Sequence, residues 1–291
     1  MAKLLVLDVG GTFIKYGVTD EDGALLPETV GQMPSCADGE AEDFLNAVRG
    51  IIRGAGDPGS ACVCIAGPFD FNRGVSLMKH KFKALYGRSL RPPFEEAGLP
   101  VAFLHDSTAF MLGECGEGGA LAGEDNACCV MLGTGLGFSW LRDGRVCVDE
   151  TRTPSLALWS TPYLDGIAED YVSTRAIQRY YGQAVSVREI AEAARADDPA
   201  AKEAFLTAGR HLSRIMTEVI GRLGCRKLAL GGQISKSADL FRLELPVPWA
   251  VTRHPEDGAL RGCCRYAVLG RENCVQTVKM SFGPLKAGGP A

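Results

Sequence analysis

The sequence predicts an α/β protein built from two related lobes, and three observations support this class. Short apolar runs alternate with segments of helical spacing along most of the chain. An apolar strand that ends at Asp8 runs into Gly10-Gly11-Thr12, and a second apolar run over 128–132 continues into Gly133-Thr134-Gly135. Each glycine turn is followed by an alternating strand and then by an Asp-Gly pair typical of hairpins. The second half therefore repeats the topology of the first, without being a sequence repeat.

Local patterns predict the individual elements. Strands are expected where short apolar runs end at glycine, proline or polar residues, over 3–8, 13–19, 61–66, 100–104, 128–132, 137–142, 145–148, 227–230 and 246–252. Helices are expected where apolar residues recur every three or four positions, over 40–53, 108–116, 165–181, 187–196, 199–223 and 259–269. Ser107 is a candidate N-cap for the second of these helices.

These elements predict an N-terminal α/β lobe over residues 1–107 and a larger α/β lobe over 108–281. The last helix, over 259–269, is a candidate to pack back on the first lobe. The end of the chain, 282–291, is rich in glycine and proline, so we expect a flexible tail there.

Composition limits the class of protein. The chain has 291 residues, of which 46% are hydrophobic and 23% are charged, as in ordinary globular proteins. The net charge is −4 and no basic stripe is visible, which argues against nucleic acid as a partner. No apolar run approaches the ~20 residues of a membrane span, and the first residues lack the features of a secretion signal. We expect a cytoplasmic protein that does not bind membranes.

The eleven cysteines raise the question of metals and disulfides. No two of them have C-x-x-C spacing, and only four histidines are present, so the pattern of zinc ribbons and fingers is missing. Most of the cysteines lie in apolar runs, which favours small buried thiols.

The two glycine turns predict phosphate binding. Glycine lets backbone N–H groups approach an anion without a Cβ in the way, and a neighbouring threonine hydroxyl adds a hydrogen bond. Asp8 can hold a metal ion or its water shell. A nucleotide held by both halves of the chain is the first hypothesis, and it indicates a phosphotransferase. Neither turn has the G-x-G-x-x-G spacing of a dinucleotide fold.

Five motifs in order resemble those of the ROK family of repressors and sugar kinases. They are Asp8-Val-Gly-Gly-Thr-x-Ile-Lys15, His105-Asp106-x-x-Ala109, Gly133-Thr-Gly-x-Gly137, Gly166-x-x-Glu169-x-Tyr-x-Ser173 and Leu230-Gly-Gly-x-Ile-Ser235. The resemblance runs from about residue 3 to about residue 270. It implies the actin-like ATPase (ribonuclease H-like) fold, in which two lobes surround a cleft and both contact ATP.

The resemblance also implies roles for individual residues. The nucleotide and its phosphates would be bound by Asp8, Gly10, Gly11, Thr12, Lys15, Gly133, Thr134, Gly135, Gly137, Gly231, Gly232 and Gln233. The sugar would be surrounded by Gly67, Pro68, His80, His105, Asp106 and Glu169. Mg²⁺ would be held at Asp8, directly or through water. A third glycine is usual in the family where this chain has Gln233, so base contacts there are an open question. A homodimer is the assembly the family suggests.

Asp106 is the candidate catalytic base. It follows an apolar strand, and α/β proteins place site residues beyond the carboxyl ends of strands. A sugar hydroxyl is a poor nucleophile, and a carboxylate within hydrogen-bond reach can accept its proton during phosphoryl transfer. The alternative, that Asp106 only caps the following helix, is compatible with the same role. For Glu169, a structural role near a helix N-terminus is an equal alternative to sugar contact.

The chain departs from the family in three places. Between Glu150 and Glu169 it has no Cys or His, so the family's zinc cluster is excluded. Leu156-Ala-Leu-Trp159 replaces the Glu-x-Gly-His element that grips sugar hydroxyls in family glucokinases, so the sugar is held differently or is not glucose. His105 and His80 stand where the family usually has asparagine.

These replacements bear on the substrate. Together with Lys79, Lys81 and Trp159, the two histidines could suit an acidic, phosphorylated or aryl-bearing sugar, but the lysines could equally form a solvated face. The functional hypothesis is an ATP-dependent kinase acting on a hexose or hexose derivative. The alternative is a non-catalytic sugar or nucleotide sensor of the same fold. A repressor is not expected, because seven residues before Asp8 leave no room for a DNA-binding domain.

Overall fold

The computed structural model describes residues 2–79, 81–280 and 282–286. The chain folds into two compact units. The first comprises Met1–Gly119, Arg145–Ser155 and Glu256–Lys279, and the second comprises Ala120–Gly144, Leu156–Pro255 and Met280–Ala291. In the described part, no helix has the length and apolar character needed to span a membrane.

The elements alternate between strand and helix, as expected of an α/β chain. The strands are β1 Leu4–Val9, β2 Phe13–Val18, β3 Gly31–Pro34, β4 Ser60–Ile65, β5 Phe69–Asp70, β6 Val75–Ser76, β7 Val101–His105, β8 Ala127–Leu132, β9 Leu136–Arg142, β10 Arg145–Val148, β11 Pro162–Tyr163, β12 Gly166–Ile167, β13 Lys227–Gly231, β14 Trp249–Val251 and β15 Val275–Thr277. The helices are α1 Ala41–Gly54, α2 Pro92–Glu96, α3 Asp106–Glu114, α4 Glu169–Val172, α5 Thr174–Tyr181, α6 Val187–Arg195, α7 Pro199–Leu223, α8 Gly258–Leu269 and α9 Arg271–Cys274.

The first unit is organised by a sheet with the strand order β3-β2-β1-β4-β7. The hairpin β1–β2 is antiparallel, whereas β4 and β7 run parallel to β1 and extend the sheet on its other side. The strand β1 and the apolar side of α1 contribute buried residues to one core. This order brings the carboxyl ends of β1, β4 and β7 to one edge of the sheet.

The second unit repeats this arrangement. Its strands follow the order β14-β13-β8-β9, in which β8–β9 is an antiparallel hairpin and β13 and β14 are parallel to β8. The expected topological repeat is therefore present, because β1 and β8 each enter a glycine turn and each pair with the next strand. The long helix α7 packs against α5 and α6 in this unit.

Two glycines set the contact between α3 and α8 in the first unit. A Cβ added at Gly113 would lie 2.0 Å from the Gly258 carbonyl oxygen, and one added at Gly262 would lie 1.7 Å from that of Ala109. The two helices can pack this closely only because both positions have no side chain. The helix α8 also packs on β1 and β4.

Because α3 packs on α8, the boundary between the two units differs from the predicted one. The division predicted from the sequence falls after residue 107, whereas in the structure α3 belongs to the first unit, together with 145–155 and 256–279. The reason is that α3 and α8 contact each other along their backbones, and such contacts between distant segments leave no local signal in the sequence. The candidate N-cap was also wrong. The helix α3 begins at Asp106 with His105 in the cap position, so Ser107 lies in the first turn.

The helix predicted over 165–181 is interrupted. The structure has the short strand β12, then α4 and α5 with Ser173 in extended conformation between them. The backbone breaks there because the Thr174 N–H and hydroxyl both donate to the Gly133 carbonyl oxygen, at 2.9 and 3.0 Å, rather than continuing α4. A tertiary contact has thus overridden a local helical pattern.

The end of the chain is partly packed, in contrast to the expected flexible tail. Leu285 is buried, and its N–H donates to the Pro162 carbonyl oxygen at 2.9 Å. Residues 287–291 of that tail lie outside the described residues. The expectation for the cysteines is confirmed, because nine of the eleven are buried and all are free thiols.

Candidate active site

The first glycine loop joins β1 to β2 and exposes its backbone. The Gly10 N–H donates to the Phe13 carbonyl oxygen at 3.0 Å, which closes the turn. Buried Ser35 holds the loop from behind, because its N–H donates to Thr12 O at 2.9 Å and its hydroxyl donates to Gly11 O at 2.8 Å. A Cβ at Gly11 would have nothing within 4 Å. The loop is therefore fixed on its protein side and open on its outer side, as an anion cradle requires.

Asp106 lies at the junction of β7 and α3. Its Oδ1 accepts a hydrogen bond from the Ser107 N–H at 2.6 Å and lies 2.8 Å from His105 Nδ1. The Ser107 hydroxyl donates to the same oxygen at 3.2 Å. The side chain of Asp106 is 41% exposed, so the carboxylate can reach a ligand while one of its oxygens is held by the protein.

Asp8 and Asp106 are electrostatically coupled, and their pKa values move in opposite directions. Burial, and then the negative charge of Asp106, raise the pKa of Asp8 to about 6. Burial also raises the pKa of Asp106, but the charge and hydrogen bond of His105 and the hydrogen bonds of Ser107 outweigh it and lower that pKa overall. Asp106 is thus kept ionised, whereas Asp8 carries a charge that the fold stabilises poorly.

Asp8 also contacts a buried thiol. Cys64 in β4 donates to Asp8 Oδ1 across 3.6 Å. A hydrogen bond with Cys263 lowers the pKa of Cys64, but burial and the charges of Asp8 and Asp106 outweigh it and raise that pKa to about 12. Cys64 is therefore a protonated donor and not a reactive thiolate.

Asp8→Asn is expected to stabilise the unliganded protein at neutral pH. The pKa of Asp8 is about 6 in the folded protein, whereas an aspartate in the unfolded chain has a pKa of ~3.9. The free energy of unfolding therefore falls as the pH rises from the lower value to the higher one. The substitution removes that cost, so the free energy of unfolding at pH 7.5 should increase by about 1–2 kcal/mol. At pH 4 the wild-type carboxyl is already neutral, and the difference should vanish.

Urea denaturation at both pH values checks this expectation. The matched control is Asp57→Asn, which changes an exposed carboxylate of the same unit and should leave stability unchanged at either pH. A loss of stability in Asp8→Asn at pH 7.5 would contradict the poorly stabilised charge at Asp8.

His105 and Lys15 lie beside the two carboxylates. A Cβ added at Gly67 would lie 3.4 Å from His105 Nε2, so Gly67-Pro68 leaves room for that ring. Lys15 is the register partner of Asp8 in the β1–β2 hairpin, but its ammonium donates to the Glu256 carbonyl oxygen at 2.8 Å and pairs with the Glu256 carboxylate at 3.4 Å. The predicted residue His80 lies outside the described residues.

The second glycine loop, Gly133-Thr134-Gly135, joins β8 to β9. Glu169 Oε2 accepts from the Leu136 N–H at 2.9 Å, and its other oxygen pairs with Arg175 at 2.9 Å. A Cβ at Gly135 would lie 2.7 Å from Glu169 Oε2, so a side chain there would displace the carboxylate. Glu169 and Thr174 therefore hold this loop as Ser35 holds the first one.

The third glycine motif follows β13. Gly232 has a φ of +83°, and a Cβ there would lie 2.1 Å from the Leu132 carbonyl oxygen at the end of β8. A Cβ at Gly231 would lie 2.6 Å from Met131 Sδ and 3.0 Å from Thr252 Cγ2. These glycines bring the end of β13 against the end of β8, whereas the side chain of Gln233 is exposed.

The structure thus groups the predicted residues within each unit. Asp8, Gly10, Gly11, Thr12, Lys15, Gly67, Pro68, His105 and Asp106 belong to the first unit, and Gly133, Thr134, Gly135, Gly137, Glu169, Gly231, Gly232 and Gln233 belong to the second. Sequence reasoning missed Ser35, Cys64, Thr174 and Arg175. None of them lies at a glycine turn or in a position whose residue type suggests chemistry, so no local signal would have found them.

Comparison with known proteins identifies the family. The model of the ROK family matches residues 4–149 and 165–260. A glucokinase of Streptomyces coelicolor is 25% identical over 82% of this chain and 84% of its own length. An uncharacterized protein of Clostridium perfringens is 32% identical, and the match spans 50% of each chain. The crystal structure of a ROK hexokinase from Thermus thermophilus has a TM-score of 0.75 at 25% identity, covering 92% of this chain and 98% of that one.

The fold and the two glycine loops place the chain in the class of proteins with the actin-like ATPase fold. The chain belongs to the ROK family. The unmatched stretch, 150–164, contains Leu156-Ala-Leu-Trp159, which the sequence predicts to stand in place of the family's Glu-x-Gly-His element. Trp159 is 50% exposed there, whereas Leu158 is fully buried.

Proposed function

We propose that this protein is an ATP-dependent kinase that transfers the γ-phosphoryl group to a hydroxyl of a hexose or hexose derivative. The observation that carries the proposal is Asp106, a partly exposed carboxylate kept ionised by His105 and Ser107. It lies in the same unit as an open glycine loop and a second carboxylate, Asp8. The names of the relatives, glucokinase and hexokinase, support the same class of reaction.

In the proposed reaction Asp106 accepts the proton of the sugar hydroxyl as phosphoryl transfer proceeds. Ser107 and His105 hold one oxygen of Asp106, which fixes the direction in which the carboxylate faces the hydroxyl. The N–H groups of Gly11 and Thr12 receive phosphate oxygens of ATP. Within the second unit, the loop Gly133-Thr134-Gly135 offers a further anion cradle, in which the Gly133 N–H already donates to the Gly135 carbonyl oxygen at 3.1 Å. Carbonyl oxygens of the two loops already accept hydrogen bonds from the hydroxyls of Ser35 and Thr174, so each loop needs little reorganisation to bind an anion.

Asp8 fits the binding of Mg²⁺. Its pKa of about 6 shows that its negative charge lacks compensation, and a divalent cation would supply it. Mg²⁺ commonly binds through one or two carboxylates together with substrate phosphates and water. When bound, the ion neutralises negative charge on the phosphate oxygens. The thiol of Cys64 would keep Asp8 oriented toward it.

The test is ADP release with Mg-ATP against a panel of sugars. The panel contains glucose, mannose, fructose, N-acetylated hexosamines, β-glucosides and phosphosugars. Turnover with any member that disappears in Asp106→Asn supports the proposal. The chemical structure of the preferred sugar would indicate which contacts the protein makes with it in the absence of the Glu-x-Gly-His element. An absence of turnover across the panel, with ATP still bound, would reject a hexose kinase in favour of the sensor.

One observation favours the sensor as a second candidate. Both oxygens of Glu169, the residue that the family resemblance assigns to the sugar, are already engaged by the Leu136 N–H and by Arg175. With Leu156-Ala-Leu-Trp159 in place of the family element, two of the usual sugar contacts are altered. The same assay separates the two candidates, because a sensor binds ligands without releasing ADP.

His105→Asn, which introduces the residue usual in the family, is expected to change the pH dependence of the kinase. The charge and hydrogen bond of His105 lower the pKa of Asp106, so their removal raises it. A general base must be ionised, and the acidic limb of the kcat/KM profile should therefore move to higher pH in the variant. An unchanged limb would show that His105 does not set the protonation of the catalytic base.

A further inference from the structure

A groove of about 870 Å³ crosses the second unit along α7. It is lined by α7, by residues 241–244 and by Lys286. None of its lining residues belongs to the glycine loops or to the motifs assigned above. Gly209 sets the distance between α7 and the segment 241–244, which forms another part of the lining. A Cβ there would lie 2.0 Å from the Phe241 carbonyl oxygen, so only glycine lets the 241–244 segment approach the helix.

The charges around the groove are unbalanced. Its ionisable lining side chains are the cations Arg210, Arg214, Arg222, Arg242 and Lys286 and the anions Glu218 and Glu244. Arg210 pairs with Glu203, and Arg222 pairs with Glu218. Within the described part of the chain, Arg214, Arg242 and Lys286 have no carboxylate within ion-pair distance. Three lining cations thus remain, and Glu244 is the lining carboxylate that is left to balance them, so the groove carries an excess of positive charge.

Gly221 keeps the helical wall of the groove open. It lies in the last turns of α7, on the same face as Arg214 and Thr217. Glycine disfavours a helix interior, and such a residue is usually explained by a close neighbour. Here a Cβ would have nothing within 4 Å. Packing therefore does not require this glycine, and any larger side chain would project into the groove.

Arg242 is held in an unfavourable conformation beside the groove. Its φ is +47°, the left-handed region that L-residues other than Asn and Asp rarely adopt. Buried Phe241 precedes it and anchors the segment. Residues with strained backbone cluster at binding sites and active sites, which is consistent with a binding role for this segment.

We propose that the groove binds a small phosphate-bearing molecule. Guanidinium groups present planar forks of donors that match phosphate oxygens. Arg242 offers one such fork, and Arg214, which also hydrogen-bonds the side chain of Tyr163, offers its remaining donors. Ser213 Oγ accepts from the Glu244 N–H at 3.1 Å, so its own hydroxyl proton is directed elsewhere and can serve a phosphate oxygen. The volume is that of small-molecule sites, and Leu206 and Phe241 supply apolar surface for the organic part of the ligand.

The experiment is isothermal titration of the protein, without nucleotide and at low salt, with inorganic phosphate and with glucose 6-phosphate. Glucose is the uncharged control. Both phosphates are expected to bind the wild type. Arg214→Gln and Arg242→Gln should each weaken binding about tenfold, because each removes a charge-assisted hydrogen bond. Gly221→Leu should block the groove by volume alone. Arg188→Gln, which removes an exposed arginine of the same unit, should bind like the wild type.

Three results would overturn the proposal. One is the absence of phosphate binding by the wild type. Another is equal affinity in wild type, Arg214→Gln, Arg242→Gln and Gly221→Leu, which would place the phosphate elsewhere, such as in the glycine loops. The last is a different oligomeric state of Gly221→Leu and wild type when both are measured by sedimentation velocity. That result would identify the groove as an interface between copies of the chain. None of these measurements depends on kinase turnover. A negative result here would therefore leave the proposed kinase function untouched, and an inactive enzyme would leave the proposed phosphate site untouched.

Discussion

Asp106→Asn is expected to lower kcat by roughly 10³-fold while nucleotide binding is retained. The amide has nearly the shape of the carboxylate and can still accept the Ser107 N–H, so the start of α3 should be preserved. It cannot take the proton of an attacking hydroxyl, and the nucleophile therefore remains a weak one. Steady-state ADP release gives the loss of turnover, and titration with a non-hydrolysable ATP analogue gives the affinity.

Two controls separate a catalytic role from a structural one. Asp57→Asn changes an exposed aspartate of the same unit and should be fully active. Urea denaturation of Asp106→Asn should still give a cooperative transition. Turnover within a few fold of the wild type would remove Asp106 as the base. A loss of both turnover and nucleotide binding would instead indicate a disturbed site.

Gly262→Ala is expected to have the largest effect on stability. The new methyl group would be placed 1.7 Å from the Ala109 carbonyl oxygen, so α3 and α8 would have to separate along their contact. Overpacking against rigid backbone typically costs 1–3 kcal/mol, and the contact here is with a main-chain atom that cannot rotate away. We expect the free energy of unfolding to fall by about 3 kcal/mol or more. Because α3 begins at Asp106, activity in the folded fraction should fall as well.

The matched control is the same substitution in another helix. Gly221→Ala in α7 adds a methyl group where nothing lies within 4 Å, so only helix propensity changes. The free energy of unfolding should rise by about 0.5–1 kcal/mol. Urea denaturation of both variants provides the measurement. If the two substitutions shifted stability in the same direction, the close packing of α3 on α8 would be contradicted.

Where local signals were strong, the sequence was sufficient for prediction. The helix α7 was predicted over 199–223 and is observed at Pro199–Leu223, because its determinants are all local. Asp198 accepts from the N–H groups of Ala200 and Ala201, Pro199 suits the first turn, and Gly224 ends the helix at a φ of +69°. The strand–glycine–strand turns that mark both glycine loops are equally local.

The sequence was not sufficient where a residue's role depends on a distant partner. Glu169 was predicted with sugar contact and a structural role as equal alternatives, and the structure shows it bonded to the Leu136 N–H, 33 residues away. Thr174 ends α4 because its partner is the Gly133 carbonyl oxygen. Neither pairing can be seen in composition or periodicity, since each depends on how the chain returns to the loop.

By itself, then, the sequence determined the strand–glycine–strand units, the long helices and the motif order that indicates the ROK family. Only the tertiary structure decided which segments form each unit, which side chains hold the glycine loops and how the charges of Asp8 and Asp106 are set. The physical reason is the distance along the chain over which each kind of interaction acts. Turns, caps and amphipathic periodicity depend on neighbours within a few residues. Burial, backbone contact between α3 and α8 and the coupling of two carboxylates depend on distances that exist only after folding.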